Sequence, residues 1–311
     1  MSILGKTTLS TKASSINRAL DEIGDKWCLL ILQEVFWGIN TFGEMLLGTG
    51  ASRGVLSNRL RWLQSIDCLR KDITEKGQKR PTYHMTKKSI ELYRNGLMAM
   101  TWERKYFTTP ALDSVELIHD HCKKAFWPMI ECKYCDEPVM SKDVSFHKGP
   151  GAKKDIRITK TRRRSSALSP QDERGKTLYI NLINLLGDRW TANIIALAFH
   201  GFNRFDDFHK ELPVATNILA DRLKLLVQEG IFYRQPYQAS PLRYDYHLTD
   251  KGRDLFPYFV TLMAWGDKWC ATGDGDPILL KHISCGAYLH AEVRCDQCGE
   301  GLIATEVHFK R

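Results

Sequence analysis

The 311-residue chain lacks the features that would assign it to several large classes of protein. No apolar run is long enough to cross a bilayer, and residues 1–13 lack the apolar stretch of a secretion signal. A P-loop, a Gly-x-Gly-x-x-Gly motif after a strand and a nucleophile elbow are all missing from the sequence. These absences predict a cytoplasmic protein that is not an enzyme.

The sequence contains one module that occurs twice. The stretch Gly24-Asp25-Lys26-Trp27 returns as Gly187-Asp188-Arg189-Trp190, an offset of 163 residues. Because the similarity continues at this fixed offset, the chain is a tandem duplication, and we name its copies the first and second repeats. Without any gap, the same offset relates Phe42 to Phe205, Leu56 to Leu219, Arg59 to Arg222, Trp102 to Trp265, Cys122 to Cys285 and Cys132 to Cys295.

A basic segment separates the repeats. Residues 148–176 hold ten Lys and Arg against three acidic residues, in a chain of formal net charge +9. With so few apolar residues, the segment cannot bury a core of its own, so we predict an exposed linker. It serves either as a tether alone or also as a contact for nucleic-acid phosphates.

The apolar periodicity predicts the same elements in each repeat. In the first, helices are expected over 16–23, 27–36 and 53–65, with a short helix that Thr41 is placed to cap. Residues 69–74 and 81–85 have the pattern of strands joined by a basic turn, and one long helix is predicted over 87–107. The second repeat has its equivalent helix over 216–228 and strands over 231–236 and 242–248. This order is that of a winged helix-turn-helix domain, an α+β fold that is mainly α.

The fourth helix of each repeat has one apolar and one polar face. The apolar stripes are Leu56, Leu60 and Leu63 in the first repeat and Leu219, Leu223 and Leu226 in the second. The opposite faces are Gly54, Ser57, Asn58 and Arg61, and then Asn217, Ala220, Asp221 and Lys224. Since folding does not need such a face, it is either a solvated surface or a surface that contacts bases in the major groove.

Together these residues resemble the HxlR family of bacterial winged-helix transcriptional regulators. The resemblance covers 14–106 and 177–269 and rests on the Gly-Asp-Lys/Arg-Trp motif, Phe42 and Phe205, the Leu-x-x-Arg-Leu-x-x-Leu helix and the Tyr-His-Met/Leu-Thr strand. It implies operator binding by a two-fold dimer, and a tandem chain could supply both half-sites. Many members use a cysteine ten residues before the motif glycine as a redox switch. Ser14 and Thr177 stand at those positions, so this mechanism is not expected here.

We therefore predict a sequence-specific repressor whose two winged domains act as a pseudo-dimer on an imperfect palindrome in double-stranded DNA. Base contacts are predicted for Ser57, Asn58, Arg61, Asn217, Asp221 and Lys224. Phosphate contacts are predicted for Arg53, Lys76, Lys79, Arg80 and Arg243. For Arg59 and Arg222, which flank the apolar stripes, an internal ion pair and a phosphate contact both remain open. The alternative function is a protein-interaction module with structural zinc knobs and vestigial DNA contact.

Each repeat ends with the pattern His-x2-Cys-x9-Cys-x2-Cys. The residues are His119, Cys122, Cys132 and Cys135, and then His282, Cys285, Cys295 and Cys298. Four such ligands in two close pairs suit tetrahedral zinc, so we predict two structural zinc ions per chain, each within one repeat's ribbon-like segment. A redox dithiol in either Cys-x2-Cys pair is the alternative.

The remaining sequence features carry weaker expectations. Cys28 and Cys68 lie on apolar stretches and are predicted to be buried and inert, whereas Cys270 has no assigned role. An unknown small-molecule effector near Trp37, Trp102 and Trp265 is one possibility, and core packing of these side chains is the other. Further homodimerisation is expected through the helices ending at Trp102 and Trp265. The predicted segments are a tail (1–13), a winged domain (14–107), a zinc-ribbon-like segment (108–147), the linker (148–176), a second winged domain (177–270) and a second zinc-ribbon-like segment (271–311).

Overall fold

The computed structural model describes residues 14–72, 81–152 and 177–310. No helix in these ranges is both long enough and apolar enough to cross a membrane. The first repeat contains helices α1 (Ser15–Ile23), α2 (Lys26–Phe36), α3 (Phe42–Thr49), α4 (Arg53–Ser65), α5 (Lys87–Ile90), α6 (Tyr93–Tyr106) and α7 (Pro110–Asp113). Its strands are β1 (Leu69–Asp72), β2 (Thr82–Met85), β3 (Glu116–His119), β4 (Pro128–Cys132) and β5 (Val144–Lys148).

The second repeat has the same order of elements, except that its described residues contain no counterpart of α7. Its helices are α8 (Ile180–Leu186), α9 (Arg189–Phe199), α10 (Phe205–Glu211), α11 (Thr216–Gln228), α12 (Asp250–Arg253) and α13 (Phe256–Trp269). Its strands are β6 (Phe232–Ala239), β7 (Leu242–Leu248), β8 (Ile278–His282), β9 (Ala291–Cys295) and β10 (Val307–Lys310). The predicted order of helices followed by a hairpin is confirmed in both repeats, and α4 and α11 have the predicted bounds.

Local side-chain chemistry sets where several helices begin and end. The Asp25 carboxylate accepts hydrogen bonds from the N–H groups of Trp27 and Cys28 at the start of α2. The Thr41 hydroxyl does the same for α3, as predicted, by accepting from the N–H of Glu44. Gly50 ends α3 with a φ of 67°, a left-handed conformation that favours glycine.

The prediction of a single helix over 87–107 is wrong, because the structure has two helices there, α5 and α6. Thr86 and Ser89 form a reciprocal capping box at the start of α5, and the N–H of Leu92 donates to the carbonyl of Ser89. This i to i+3 hydrogen bond tightens the backbone where α5 ends. In the second repeat the equivalent break precedes α13, whose first turn contains Pro257, a residue that lacks the N–H needed in a helix interior.

The described residues form two compact units, and each unit contains segments of both repeats. Unit 1 comprises residues 14–21, 129–152 and 189–294, and unit 2 comprises 22–72, 81–128, 177–188 and 295–310. Unit 2 therefore holds the winged helix of the first repeat, and unit 1 holds that of the second. The units do not follow the boundaries of the repeats.

In unit 2, helix α8 of the second repeat packs against α2 and α6 of the first. The buried Glu103 carboxylate accepts hydrogen bonds from the N–H groups of Asn181 and Leu182, at 3.1 and 3.0 Å. It thereby satisfies N–H groups that the first turn of α8 cannot pair internally. At the other end of α8, a Cβ on Gly187 would lie 2.7 Å from the Cβ of Lys26, so this close approach requires glycine.

In unit 1, helix α1 of the first repeat, as far as Asp21, contacts the second repeat. The Arg189 guanidinium lies 2.7 Å from the Asp21 carboxylate. The amide of Asn193 donates to the side-chain oxygen of Asn17 at 3.1 Å. The first helix of each repeat thus completes the unit that contains the other repeat's winged helix.

The strands that follow the winged helices are exchanged in the same way. In unit 2, β3 pairs antiparallel with β10, and His119 lies opposite Val307. In unit 1, β5 pairs antiparallel with β8, and Val144 lies opposite His282. Strand β4 pairs with β9. The segments 108–147 and 271–311 therefore do not form two separate ribbons, because each of these sheets joins strands of both repeats.

Candidate nucleic-acid interface and metal centres

Helix α4 presents its predicted polar face to solvent. Arg53, Ser57, Asn58 and Arg61 are exposed, whereas Leu56, Leu60 and Leu63 are buried. Burial of the three leucines fixes the rotation of the helix, since any turn about its axis would expose apolar surface. The structure thus places all four predicted contact residues of α4 where a duplex could reach them.

Two further contacts hold α4 in unit 2. The Nε of Arg59 donates to the Asp25 carboxylate at 3.0 Å, which is the internal ion pair that the sequence left open for this arginine. The same carboxylate caps α2, so one side chain connects α2 to α4. The indole N–H of Trp62 donates to the carbonyl of Glu22 at 2.7 Å, so Trp62 anchors α4 rather than extending its solvent-facing surface.

Helix α11 in unit 1 repeats the arrangement with different side chains. Leu219, Leu223 and Leu226 are buried, and the predicted face of Asn217, Ala220, Asp221 and Lys224 is exposed. Position 58 is asparagine in α4 where α11 has Asp221, and Arg61 corresponds to Lys224. The two helices therefore offer different hydrogen-bonding groups on equivalent surfaces.

The structure describes the second wing to its tip but only the base of the first. The tip of the first wing, with Lys76, Lys79 and Arg80, lies outside the described residues, as does most of the predicted linker. In the second wing Arg243 is exposed, and its guanidinium lies 3.4 Å from the exposed Asp206 carboxylate. Such a solvated pair contributes little energy and can exchange for a phosphate.

Aromatic and cationic side chains of the second wing also stack, a feature that the sequence analysis missed. The guanidinium of Arg204 lies 4.4 Å from the ring centre of Tyr237, and that of Arg234 lies 4.5 Å from the ring centre of Tyr244. Strand β6 extends to Ala239, beyond its predicted end at 236, through an irregularity between Pro236 and Gln238. Adjacent Tyr and Arg residues at 233–234 and 243–244 were the available signal for stacking within the wing, whereas Arg204 precedes α10, and its contact with Tyr237 has no local signal in the sequence.

Two clusters of side chains have the composition of metal centres, but their ligands are not paired as predicted. The prediction that each repeat supplies all four residues of its own cluster is wrong. The cluster in unit 2 is His119, Cys122, Cys295 and Cys298, and the cluster in unit 1 is Cys132, Cys135, His282 and Cys285.

Strand exchange is the physical reason for this pairing. Strand β3 ends at His119, and its partner β10 follows the Cys295 and Cys298 pair. Likewise, β8 ends at His282, and its partner β5 follows Cys132. Because both repeats carry the same ligands at the same spacing, the sequence contains no signal that distinguishes the two pairings.

The distances within both clusters fit a tetrahedral ion. A zinc–sulfur bond of about 2.3 Å places neighbouring sulfurs in a tetrahedron about 3.8 Å apart. In unit 2, the Sγ atoms of Cys122 and Cys295 are 4.0 Å apart, and the Nδ1 of His119 is 3.3 Å from the Sγ of Cys298. The four ligand atoms of each cluster lie within 4.8 Å of one another, so both could hold a metal ion through Nδ1 and three sulfurs.

The unit 1 cluster repeats this geometry. Its Cys132 and Cys285 sulfurs are 3.9 Å apart, and the Nδ1 of His282 is 3.3 Å from the Sγ of Cys135. The backbone N–H of Ala287 and the hydrogen bond with His282 lower the pKa of the Cys285 thiol to about 7.

The cysteines outside the clusters are packed differently. Cys28 and Cys68 are both fully buried, as predicted. Burial raises the pKa of the Cys68 thiol to about 12, against the smaller opposing effect of Lys88, so this thiol is the less reactive neutral form. The Cys28 thiol donates to the Asp25 carboxylate at 2.9 Å.

The tryptophans considered for an effector site are mainly packing residues. Trp102 and Trp265 are only 3% and 4% exposed. Trp37 meets the ring of Phe309 at a centroid distance of 4.6 Å in unit 2. Core packing, the alternative stated for Trp102 and Trp265, is thus confirmed.

Comparison with known proteins agrees with the duplication. A family model described as HxlR-like helix-turn-helix matches residues 22–110 and 185–274, together more than half of the chain. An uncharacterized HTH-type transcriptional regulator of Mycobacterium bovis is 41% identical over 125 residues, covering 40% of this chain and 79% of that protein. The HTH-type transcriptional regulator YodB of Bacillus subtilis is 38% identical over 92 residues, covering 29% of this chain and 82% of YodB. The solved structure of reduced YodB has 34% identity over 34% of this chain and 98% of that chain, with a TM-score of 0.27.

The family match falls once on each repeat and spans both winged helices, with α4 inside the first matched range and α11 inside the second. The chain belongs to the HxlR-like helix-turn-helix family.

Proposed function

We propose that this protein is a sequence-specific, DNA-binding transcriptional regulator that acts in the bacterial cytoplasm as a repressor. The observation that carries the proposal is the exposed polar face on each of two recognition helices, α4 and α11, each held by buried leucines. Family membership and the regulatory names of its relatives support the same function.

The exposed side chains suit particular base edges in the major groove. Arg61 and Lys224 can donate to guanine, Asn58 and Asn217 can pair with adenine, and Asp221 can accept from cytosine. Ser57 can contact either a purine or a pyrimidine. Phosphates are contacted by Arg53, Lys76, Lys79, Arg80 and Arg243, and these contacts position the protein without selecting a sequence.

The two winged helices act as a pseudo-dimer within one chain. Each compact unit is completed by a helix and strands from the other repeat, so neither repeat can form its unit alone. Because the equivalent readout residues differ between α4 and α11, the operator is an imperfect palindrome in which each half has its own sequence.

The two ligand clusters hold zinc, two ions per chain, in structural sites. Three sulfurs and one imidazole nitrogen are the ligands that zinc takes in closed tetrahedral sites. With four protein ligands no coordination position is left for a substrate, so the ions stabilise structure. Binding of a small-molecule effector and further homodimerisation through α6 and α13 stay predictions.

Selection of bound genomic fragments by the purified full-length chain, followed by footprinting, tests the function. We expect an enriched site with two unlike half-sites and affinity that falls steeply with salt. The variant Asn58→Ala should weaken contacts in one half-site, whereas Lys87→Ala, which removes an exposed charge outside the recognition helices, should leave the preference unchanged. Failure to enrich any sequence over random fragments at physiological salt would overturn the proposal.

A further inference from the structure

Each of the two ligand clusters combines residues from both repeats. We propose that each zinc ion is a clasp between the repeats, which fastens the His-x2-Cys pair of one repeat to the Cys-x2-Cys pair of the other. The inference rests on the zinc binding proposed above and adds that both ions have ligands from both repeats. Metal loading then completes both DNA-binding units at once.

In unit 2 the clasp joins two segments that also meet through the β3–β10 pairing, a hydrogen bond between His308 and Asp120, and hydrogen bonds between Trp127 and Asp296. His119 and Cys295 are fully buried, and each is the last residue of its strand. Beside them, the N–H of Asp120 donates to the carbonyl of Glu306 at 2.8 Å. Single hydrogen bonds of this kind add little net stability, because the separated groups would bond to water instead.

We call the place where the two ligand-bearing segments of a unit meet its junction. The junction of unit 1 has a similar set of contacts. The N–H of Ile283 donates to the carbonyl of Asp143 at 2.8 Å. The Arg294 guanidinium lies 2.6 Å from the Asp136 carboxylate and 3.3 Å from that of Glu131. Asp136 is largely exposed, so solvent screens that part of the network.

The sheets at both junctions are too small to be stable alone. Strands β3 and β10 form a two-stranded sheet, and so do β5 and β8. An isolated pair of strands is marginal in water, whereas a structural metal ion can contribute most of the folding free energy of a small segment. A bound structural ion would therefore add a strong local link between the two chain segments at each junction.

Pairs of serine substitutions distinguish this pairing from the one within each repeat. The variants Cys122→Ser/Cys298→Ser and Cys135→Ser/Cys285→Ser each remove two ligands from one cluster and leave the other complete. The variants Cys122→Ser/Cys135→Ser and Cys285→Ser/Cys298→Ser carry the same number of substitutions but damage both clusters. Zinc per chain is counted by elemental analysis and native mass spectrometry of the full chain, after dialysis against a competing chelator.

We expect two zinc ions in the unchanged chain, one in each of the first two variants and none in the other two. Pairing within each repeat would reverse the pattern, and recovery of a one-zinc Cys122→Ser/Cys135→Ser chain would overturn the clasp even if the other variants failed to fold. If the zero-zinc variants prove insoluble, one zinc in the first two variants still establishes the pairing. An unchanged chain without zinc would overturn the zinc proposal itself, and none of these readouts depends on DNA binding.

Discussion

Helices α4 and α11 have the same scaffold and different surfaces. Each has thirteen residues, and each buries three leucines at equivalent positions. On their exposed faces, however, Asn58 and Arg61 of α4 correspond to Asp221 and Lys224 of α11. Packing constrains the leucines because a cavity or a clash costs stability, whereas the exposed side chains are constrained only by what they contact. Duplication therefore preserved the buried leucine stripe and left the exposed faces of the two helices free to diverge.

The cores of the two units also differ at one equivalent position. In unit 2, Trp37 packs against Phe309 of the second repeat. In unit 1, His200 packs against Phe146 of the first repeat, with ring centres 4.3 Å apart. Both contacts are part of the exchange between repeats, but only unit 1 places a titratable group there.

The largest expected effect tests whether the two leucine stripes are equivalent. Leu60→Ala and Leu223→Ala should each lower the free energy of unfolding by about 2–5 kcal/mol, because each removes a buried side chain and leaves a cavity. Denaturant unfolding followed by tryptophan fluorescence measures the loss. The exposed change Ser57→Ala is the control and should stay within about 0.5 kcal/mol. A loss confined to one leucine would break the structural equivalence of the helices.

The second prediction uses pH to separate the units. Burial lowers the pKa of His200 to about 4 from an ordinary 6.5. Between these pH values the unfolded chain binds more protons than the folded one. The contribution of His200 to the free energy of unfolding is therefore fully present above pH 6.5 and is lost as the pH falls toward 4. The full loss is on the order of 3 kcal/mol. The variant His200→Gln should therefore show a smaller loss of stability between pH 6.5 and 4.

The comparison with the unchanged chain is needed because a second, half-buried group acts in the opposite direction. Burial raises the pKa of Asp267 to about 7, an effect that its hydrogen bond with Ser15 and the charge of Arg18 only partly offset. The protonated carboxyl is favoured in the fold, so acidification stabilises this site, equally in the unchanged chain and the variant. Identical pH profiles for the two proteins would show that His200 is not the source of the acid sensitivity of unit 1.

The third prediction sharpens the difference between the recognition surfaces. Arg61→Ala and Asp221→Ala should each weaken specific DNA binding by about 1–3 kcal/mol, and each should relax selection in a different half-site. Quantitative binding to a library of operator variants provides the measurement. Two identical half-sites, equally sensitive to both substitutions, would contradict the proposed imperfect palindrome.

The smallest expected effect concerns the N-cap residue that precedes α4 and its equivalent before α11. The Ser52 hydroxyl accepts a hydrogen bond from the N–H of Val55 at 3.3 Å, whereas Ala215, at the equivalent place before α11, makes no side-chain cap. Their backbones are nearly the same, with φ and ψ of −67° and 153° for Ser52 and −66° and 144° for Ala215. Ser52→Ala should cost about 1 kcal/mol, and Ala215→Ser should gain up to about that amount in thermal unfolding. Equal and opposite shifts would identify the cap as the cause, whereas loss of stability in both variants would contradict it.

The local elements could be predicted because their signals are local. Leucines at helical spacing define α4 and α11, the Thr41 side chain caps α3, and the duplicated motif locates both winged helices. The break between α5 and α6 was missed because it depends on a hydrogen bond between Leu92 and Ser89, which the apolar periodicity does not reveal. The solvent exposure of Asn58 and Asp221 followed from the same helical geometry that buries the leucines.

The sequence by itself determined the duplication, the winged order of elements, the polar faces of α4 and α11 and the eight histidine and cysteine residues that form the two clusters. Only the tertiary structure decided which ligands belong together, and which repeat supplies the first helix to each unit. A duplicated sequence offers two equivalent partners for every contact, and local patterns such as His-x2-Cys are the same in both. The choice between these partners is made by strand pairing and core packing between residues far apart in the chain, and spacing along the sequence does not encode it.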